Sequence, residues 1–458
     1  MTKKILLNAF DMNCVGHIQH GLWTHPRDRS VDYDTLPYWT RLARTLERGL
    51  FDGLFLADIV GVYDVYQGSA DLSAREAIQL PVGDPMLLVS AMAAATEHLG
   101  FGVTVNLGYE LPYLLARRFS TLDHLTGGRI GWNIVTGYLD SAARAMGQQA
   151  QLPHDERYDR ADEYLDVLYK LWDGSWEDGA ARRDKAGRVF ADPARVHPVV
   201  HHGKYFDVEG IHLCEPSPQR TPVLFQAGSS GRGQRFAARH AECVFVAATS
   251  QAEAKRSVDS LRAALVEAGR RADDVKVFQA ATVVVAPTAP QARDLFADYR
   301  DHASREAGLA HFAAGTGIDF GRYGLDEPIA FAPGNAIQSH VRAAQEGGWT
   351  RRRMLEMFEL GSRYPVFTGD ASQVADQLQS WVDETGIDGF NLTRTVVPEC
   401  HEAFVDLVVP ELQHRGAYKT AYEPGTLRHK LHGEGDRLPA RHAASEFARR
   451  GGACASPP

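Results

Sequence analysis

The sequence predicts an α/β protein folded as a (β/α)8 TIM barrel, with long insertion segments at the C-terminal face of the strands. Three observations predict it. Eight short apolar runs alternate with amphipathic stretches along the chain. The runs are continuously apolar, as in a parallel sheet covered by helices. Residues with chemical character gather just after the runs, where a barrel keeps its function. A length of 458 residues suits one large barrel with insertions. An open doubly wound sheet accommodates the same alternation.

In chain order, KILLNAF (4–10) reads as a strand and YWTRLARTLERG (38–49) as a helix stopped by Gly49. GLFLADI (53–59) is the second strand. DPMLLVSAMAAATEH (84–98) is its helix, with Asp84 as N-cap and Pro85 in the first turn. GFGVTV (100–105) and RIGWNIV (129–135) are the third and fourth strands, followed by helices from Pro112 to Leu125 and from Arg157 to Trp172. PVLFQAG (222–228) and ECVFVAA (242–248) are the fifth and sixth, followed by helices at 232–240 and 251–268. VKVFQAATVVVA (275–286) is a seventh strand longer than average, either continuous or broken; helices at 371–385 and 401–414 flank the eighth, GFNLT (389–393). Two long segments, about 173–221 and 303–369, are expected to cover the C-terminal ends of the strands as lids. Residues 1–432 then form one barrel domain, and 433–458 a polar tail that is mobile or wrapped on a neighbour.

Hydrophobic residues make up 44% and charged residues 23%, a soluble globular composition. The net charge of -9 argues against a sequence-independent nucleic-acid binder, which needs a basic face. The five cysteines (Cys14, Cys214, Cys243, Cys400, Cys454) are scattered and form no C-x-x-C pair, as expected of reduced thiols in a cytoplasmic protein. The first residues carry no signal-peptide core, and no run approaches the roughly 18 apolar residues of a membrane span.

The clearest chemical motif is QAGSSGRGQRFAARH (226–240). Gly228, Ser229, Ser230 and Gly231 expose backbone N–H groups where a strand runs into a helix, which suits a phosphate, and Arg232 adds positive charge. An ordinary Gly/Ser helix cap is the equal alternative on spacing alone. The loop NAFDMNCVGHIQHGLWTHP (8–26) brings Cys14, His17, His20 and His25 close in sequence. Their spacing matches no zinc pattern, so no metal is expected. His20 and His25 read as structural hydrogen-bonders, and a Cys14–His17 thiolate pair lacks an orienting third group. His154, Arg157 and Tyr158 open a charged helix that faces either an anion or solvent. His201, His202, His429 and His432 read as surface residues.

Taken together, NAFDMNCVGH, FLADIVGVYDVY, ARRFSTLDHLTGGRIGWNIVT, HDERYDRADEYL, SPQRTPVLFQAGSSGRG, DGFNL and VVPELQHRG resemble the nitrilotriacetate monooxygenase branch of the bacterial luciferase-like superfamily. The resemblance spans nearly the whole chain. MNCVGH, DIVGVYDVY, HLCEPSPQRTP and FAARHAECVF are most similar to members that oxygenate long-chain alkanes and dimethyl sulfide. The resemblance implies a two-component monooxygenase. FMNH2 arrives from a separate NAD(P)H-dependent flavin reductase and reacts with O2 to a flavin peroxide, which oxygenates a small apolar alkyl or organosulfur substrate. It implies a homodimer or larger homo-oligomer. Carried over position by position, Asp58 and Thr104 lie near the isoalloxazine. Thr136, His154, Tyr158, Ala227, Gly228, Ser229 and Ser230 hold ribityl and phosphate. Cys14, His17, Tyr63, Gln79 and His311 line the substrate pocket.

Two departures stand out. Alkane-oxidising members carry Ser-His where this chain has Gly137 and Tyr138, so an imidazole is lost and Tyr138 is left as a hydrogen-bond donor. Leu111 and Leu115 replace histidine-containing sequence and are expected to alter the pocket wall. A deazaflavin-dependent oxidoreductase and a non-catalytic flavin-binding protein of the same fold are the alternatives.

Overall fold

The computed structural model describes residues 3–228, 230–329, 349–360 and 364–448. Eight parallel strands close on themselves: β1 (Leu6–Met12), β2 (Gly53–Ala57), β3 (Gly100–Asn106), β4 (Ile130–Val135), β5 (Val223–Gln226), β6 (Cys243–Val246), β7 (Lys276–Val285) and β8 (Gly389–Thr393). Each pairs with the next in this order, and β8 returns to β1 in the register Leu6↔Gly389. Closure demands glycine there, because a Cβ on Gly389 would stand 2.0 Å from the Leu6 carbonyl oxygen. The fold is therefore the predicted (β/α)8 barrel, and the open sheet is excluded. The seventh strand is unbroken. Its length comes from serving two sets of partners, since its second half also pairs with a short extra strand, Val366–Gly369.

The helices have local causes. α1 (Leu36–Arg48) starts with a proline in its first turn and α2 (Met86–Ala94) follows Asp84, whose carboxylate accepts the Met86 N–H at 2.9 Å. α2 is shorter than predicted, ending at Ala94. α3 (Pro112–Thr126) ends on left-handed Gly127. α4 (His154–Tyr169) begins a turn earlier than predicted and passes into a π-turn, Lys170–Gly174. Ser230 caps α5 (Gly231–His240) and Ser250 caps α6 (Gln251–Glu267). Thr288 and Ser304 cap two helices inserted after β7, α7 (Ala289–His302) and α8 (Arg305–Thr316). Asp370 and Gln373 form a capping box on α9 (Ala371–Thr385).

The lower interior is aromatic. Phe55, Phe225 and Phe278 pack with Leu427 and Leu431 of a short C-terminal helix, Leu427–His432, which plugs the N-terminal end of the barrel. Gly131 makes room for this layer, since a Cβ there would lie 2.5 Å from the Phe225 ring.

Three expectations are corrected. Residues 173–221 join the end of α4 to the start of β5, which places them away from the strands' C-terminal face, and they are not irregular. They form two hairpins, Ala181–Asp184 with Val189–Ala191 and Val199–His202 with Asp207–Gly210. The second lies along the outer faces of α3 and α4, where Tyr113 donates to the Ile211 carbonyl and Glu163 accepts the backbone N–H of Phe206. It is a flank, not a lid. The tail from Gly433 to Ala448 folds back on its own barrel, with Arg441 on Asp274, His442 Nε2 at 2.9 Å from the His240 carbonyl, and Phe447 stacked on Tyr169. Residues 449–458 lie outside the described residues. His201, His429 and His432 are half-buried rather than on the surface, whereas His202 is exposed.

Candidate active site

A cavity of about 180 Å³ opens at the C-terminal end of β1 and β2. Its floor is Phe10 and Met12 of β1 and Ala57, Asp58 and Ile59 at the end of β2. The loop after β1 adds His17 and Ile18, and the loop after β2 adds Tyr63 and Gln79. Tyr138 comes from the loop after β4. The roof is α8, whose Gly308, His311, Phe312 and Gly315 share one face by their spacing of three and four. Gly308 lets the helix close on Phe358, since an added Cβ would stand 2.8 Å from the Phe358 Cβ.

Its polar groups form a connected set. Tyr63 Oη donates to Gln79 Oε1 at 2.6 Å and lies 3.4 Å from the Tyr138 hydroxyl. The His311 ring stacks on Tyr63, with centroids 4.9 Å apart and planes 16° apart. Behind it, His20 Nε2 lies 3.0 Å from His311 Nδ1. His17 packs edge-on against Phe10, and its buried Nδ1 has no hydrogen-bond partner. Burial, then the charge of Arg394, holds His17 neutral well below the ordinary histidine range. Burial lifts the Asp58 carboxyl to about 7, against a smaller opposing pull from the Ile59 N–H. Two of the wall residues hold left-handed backbone, Ile18 at φ 60° and Gln79 at φ 51°. For β-branched Ile18 this conformation is strained, and strain of that kind collects at working sites.

Cys14 does not join this set. It is fully buried beneath the loop, its thiol donates to the Gly16 carbonyl at 3.3 Å, and burial pushes its pKa up to about 12. A thiolate pair with His17 is therefore absent. Leu111 and Leu115 do not shape the wall either: Leu111 is exposed and Leu115 packs in the helical core. His25 turns away to Asp298 on α7, 3.1 Å distant, with His302 beside it. Arg27 N–H donates to His25 Nδ1, so the proton sits on Nε2 facing Asp298, a donor position rather than a metal ligand.

The second group of predicted residues gathers at α4 and α5. Ser230 Oγ accepts the Gly233 N–H at 3.0 Å, and His154 Nε2 lies 3.3 Å from the same oxygen. Gly228 N–H donates to Gln226 Oε1 at 2.7 Å. A Cβ on Gly228 would come within 2.5 Å of the Tyr158 hydroxyl, and one on Gly233 within 2.9 Å. The glycines thus bring Tyr158, Ser230 and the first N–H groups of α5 around one point, a donor set that fits a phosphate. Ala227 continues the chain from β5 into this loop, and Ser229 lies outside the described residues. Arg232 does not serve the anion, because it is paired with Asp159 at 2.9 Å and with Asp162.

Thr136 lies apart, in a neighbouring cavity of about 150 Å³ with Tyr109, Arg157 and Arg160. Thr104 is buried on β3, where its Oγ accepts from Asn133 Nδ2 at 2.9 Å. The Asn133 Oδ1 is left as an unsatisfied buried acceptor, the complement of a ligand ring N–H.

The sequence reading missed Arg394, which follows β8. Its guanidinium pairs with Asp11 at 3.1 Å and donates to the carbonyls of Cys14 and Val15, both at 2.8 Å, so it fixes the loop that carries His17. An arginine directly after a barrel strand was the available signal. His20 was read as structural, and only the fold places it behind His311.

The chain is similar to known proteins over nearly its whole length. A family model described as luciferase-like monooxygenase matches residues 12–389. The dimethyl-sulfide monooxygenase of Hyphomicrobium sulfonivorans is 49% identical over 98% of this chain and 94% of its own length. The long-chain alkane monooxygenase of Geobacillus thermodenitrificans is 49% identical over 98% of both chains. A crystal structure of a long-chain alkane monooxygenase superposes with a TM-score of 0.91 over 98% of this chain and 100% of that one. A riboflavin lyase crystallised with modified FMN and riboflavin gives 0.92 at 36% identity, covering 98% of this chain and 100% of its own.

Proposed function

This chain belongs to the luciferase-like monooxygenase family, a family of flavin-dependent oxidoreductases, and from that premise we propose that it is a two-component monooxygenase. It takes up FMNH2 made by a separate NAD(P)H-dependent flavin reductase and uses O2 to oxygenate a small apolar alkyl or organosulfur substrate. Its relatives are named for dimethyl sulfide and for long-chain alkanes, which supports that substrate range. The reading has it work in the cytoplasm as a homodimer or larger homo-oligomer. Among the described residues no helix is long and apolar enough to cross a membrane.

The observation that carries the proposal is the pairing of two sites at one face of the barrel. The Gly228–Ser230 loop with His154 and Tyr158 suits the phosphate of FMN, and the cavity at β1 and β2 suits the reacting end. Reduced FMN, when bound, supplies the two electrons with which O2 is activated. The chain does the rest. Phe10, Ile18, Phe312 and Phe358 exclude water and take the apolar substrate. Tyr138 presents its hydroxyl to a developing negative charge, while Tyr63, whose proton is held by Gln79, borders it as an acceptor. Asp58, with its carboxyl near neutrality, can take or return a proton. Cys14 supports the loop from below.

The test is an anaerobic titration with reduced FMN, followed by mixing with oxygenated buffer in a stopped-flow spectrometer. Binding and a transient near-ultraviolet band that decays faster with an alkyl sulfide or alkane are expected. Oxidation at the rate of the unbound flavin, with no transient, would overturn the proposal and favour the deazaflavin-dependent or non-catalytic alternatives.

A further inference from the structure

On the FMN reading above, we propose that Arg235 is the cation that binds the FMN phosphate. Tyr158, Ser230 and the first N–H groups of α5 are neutral donors, whereas a phosphate carries full negative charge, and charge-assisted bonds are the stronger ones. A cation is therefore expected at this turn. Two of the three arginines on α5 are already tied to carboxylates of α4. Arg232 meets Asp159 at 2.9 Å and Asp162 at 2.5 Å, and Arg239 meets Asp166 at 3.2 Å. Arg157 of α4 turns instead to the Gly137 carbonyl and lines the neighbouring cavity. Arg235 differs from all of these. It is exposed, and among the described residues no hydrogen bond or ion pair holds it.

The helix sets the direction of this side chain. Side chains on an α-helix lean toward its N-terminus, and Arg235 stands four positions after Gly231, on the same face. Its Nη1 accordingly reaches back over the first turn of α5, 3.8 Å from where a Cβ on Gly231 would stand, and that Cβ would meet no other side chain within 4 Å. Asp155, at the start of α4, faces the same space. The hydrogen bond from His154 holds its carboxyl below the usual range, and the charges of Arg232 and Arg235 add smaller pulls in that direction. The close contact of Asp155 is nevertheless with His154, at 2.7 Å, and not with Arg235. A guanidinium laid on the positive end of a helix dipole, with no carboxylate against it, is by itself unfavourably placed. A phosphate at the same end reverses the sign, because the helix terminus and the guanidinium then attract one group together.

The test compares FMN with riboflavin, which lacks the phosphate. Dissociation constants of both flavins, reduced and under anaerobic conditions, are measured for the full chain, for Arg235→Gln and for Arg235→Lys. Arg235→Gln is expected to weaken FMN about tenfold, to leave riboflavin unchanged, and to flatten the dependence of FMN affinity on salt. Arg235→Lys keeps the charge without the planar fork and is expected to recover part of the loss. Melting without flavin separates binding from structure. Arg235→Gln should melt no lower than the parent, because it removes a cation from a helix N-terminus. A preference for FMN over riboflavin in Arg235→Gln equal to the parent's would overturn the proposal and leave the FMN reading standing. So would a lower melting temperature with both flavins weakened alike, which would make Arg235 structural. A parent that binds FMN no more tightly than riboflavin would overturn the phosphate site itself, and the part of Arg235 with it.

Discussion

Two buried arginine–carboxylate pairs stand at opposite ends of the barrel, and they are built differently. At the N-terminal end, Arg428 meets Glu242 at 2.6 Å and 2.9 Å, and its remaining N–H groups reach the carbonyls of Gln219, Thr221, Pro222 and Asp436. Glu242 also accepts the Leu224 N–H at 3.0 Å. Burial pushes its pKa up, but the charge and hydrogen bonds of Arg428 outweigh burial and bring it to about 2. At the C-terminal end, Arg394 meets Asp11 through one oxygen, while Asp11 Oδ2 has no partner. There burial prevails over Arg394, and the Asp11 pKa is raised. A fully saturated pair closes the bottom of the barrel. An incompletely saturated pair holds the loop that carries His17. The first serves stability and the second serves position.

The sharpest break of that comparison is Arg428→Met. Removing one partner of a saturated buried pair strands the other charge and costs about 3–5 kcal/mol. Urea unfolding should show this loss, while the folded fraction keeps the parent's affinity for reduced FMN. A loss below about 1 kcal/mol would show that Glu242 finds other partners. Arg394→Met should invert the pattern. Burial raises the Asp11 pKa and Arg394 opposes it, so without the cation the carboxyl can take up a proton instead of stranding a charge, which limits the stability cost to about 1–3 kcal/mol. The loop from Cys14 to Ile18 loses its two carbonyl anchors, and a displacement of about 1 Å in a site can cost about 10²-fold in rate. On the monooxygenase reading, turnover of the alkyl sulfide or alkane that speeds decay of the stopped-flow transient, with supplied reduced FMN, measures it. Near-parent turnover would move Arg394 to the structural class of Arg428.

The same contrast explains what the sequence could show. All eight strands were legible because buried parallel strands are continuous apolar runs, and Gly49, Gly127, Ser250 and Asp370 mark helix ends by chemistry that acts locally. Ser230, which caps α5, was legible for the same reason. His20 behind His311, separated by 291 positions, was not, because no local pattern encodes a contact made by folding. Residues 173–221 went to the wrong end of the barrel. Their polar composition looks like a lid, but their place between a helix and the next strand puts them at the other face. Cys14 sits in a loop of site residues, yet its side chain points beneath that loop, a direction only the left-handed turn at Ile18 and the Arg394 anchors settle.

Acid sharpens the comparison further. Glu242 has a folded pKa near 2, below its ordinary 4.5, so its contribution is fully present above about pH 4.5 and lost as pH falls toward 2. Parent stability should fall across that window, and Glu242→Gln should start lower and fall less. Equal slopes in the two proteins would remove Glu242 as the acid-labile lock.

The smallest effect belongs to the cavity. Asp58 has its folded pKa raised from 3.8 to about 7, so its stabilising protonated form is fully present below about pH 4 and lost as pH rises through 7. Asp58→Asn removes the group that must ionise in a poorly solvated wall, so the variant should gain stability relative to the parent between pH 5 and 8, by on the order of 1 kcal/mol. The sign is opposite to that at Glu242, because here burial is not outweighed by a cation. Melting temperatures of the two proteins at pH 5 and pH 8 decide it. A constant difference would mean that the Asp58 carboxyl ionises well below pH 5, with a positive group near enough to offset its burial. In that case the cavity end would hold its acids as the plugged end does, and the division between a stabilising and a positioning end would rest on the Asp11 pair alone.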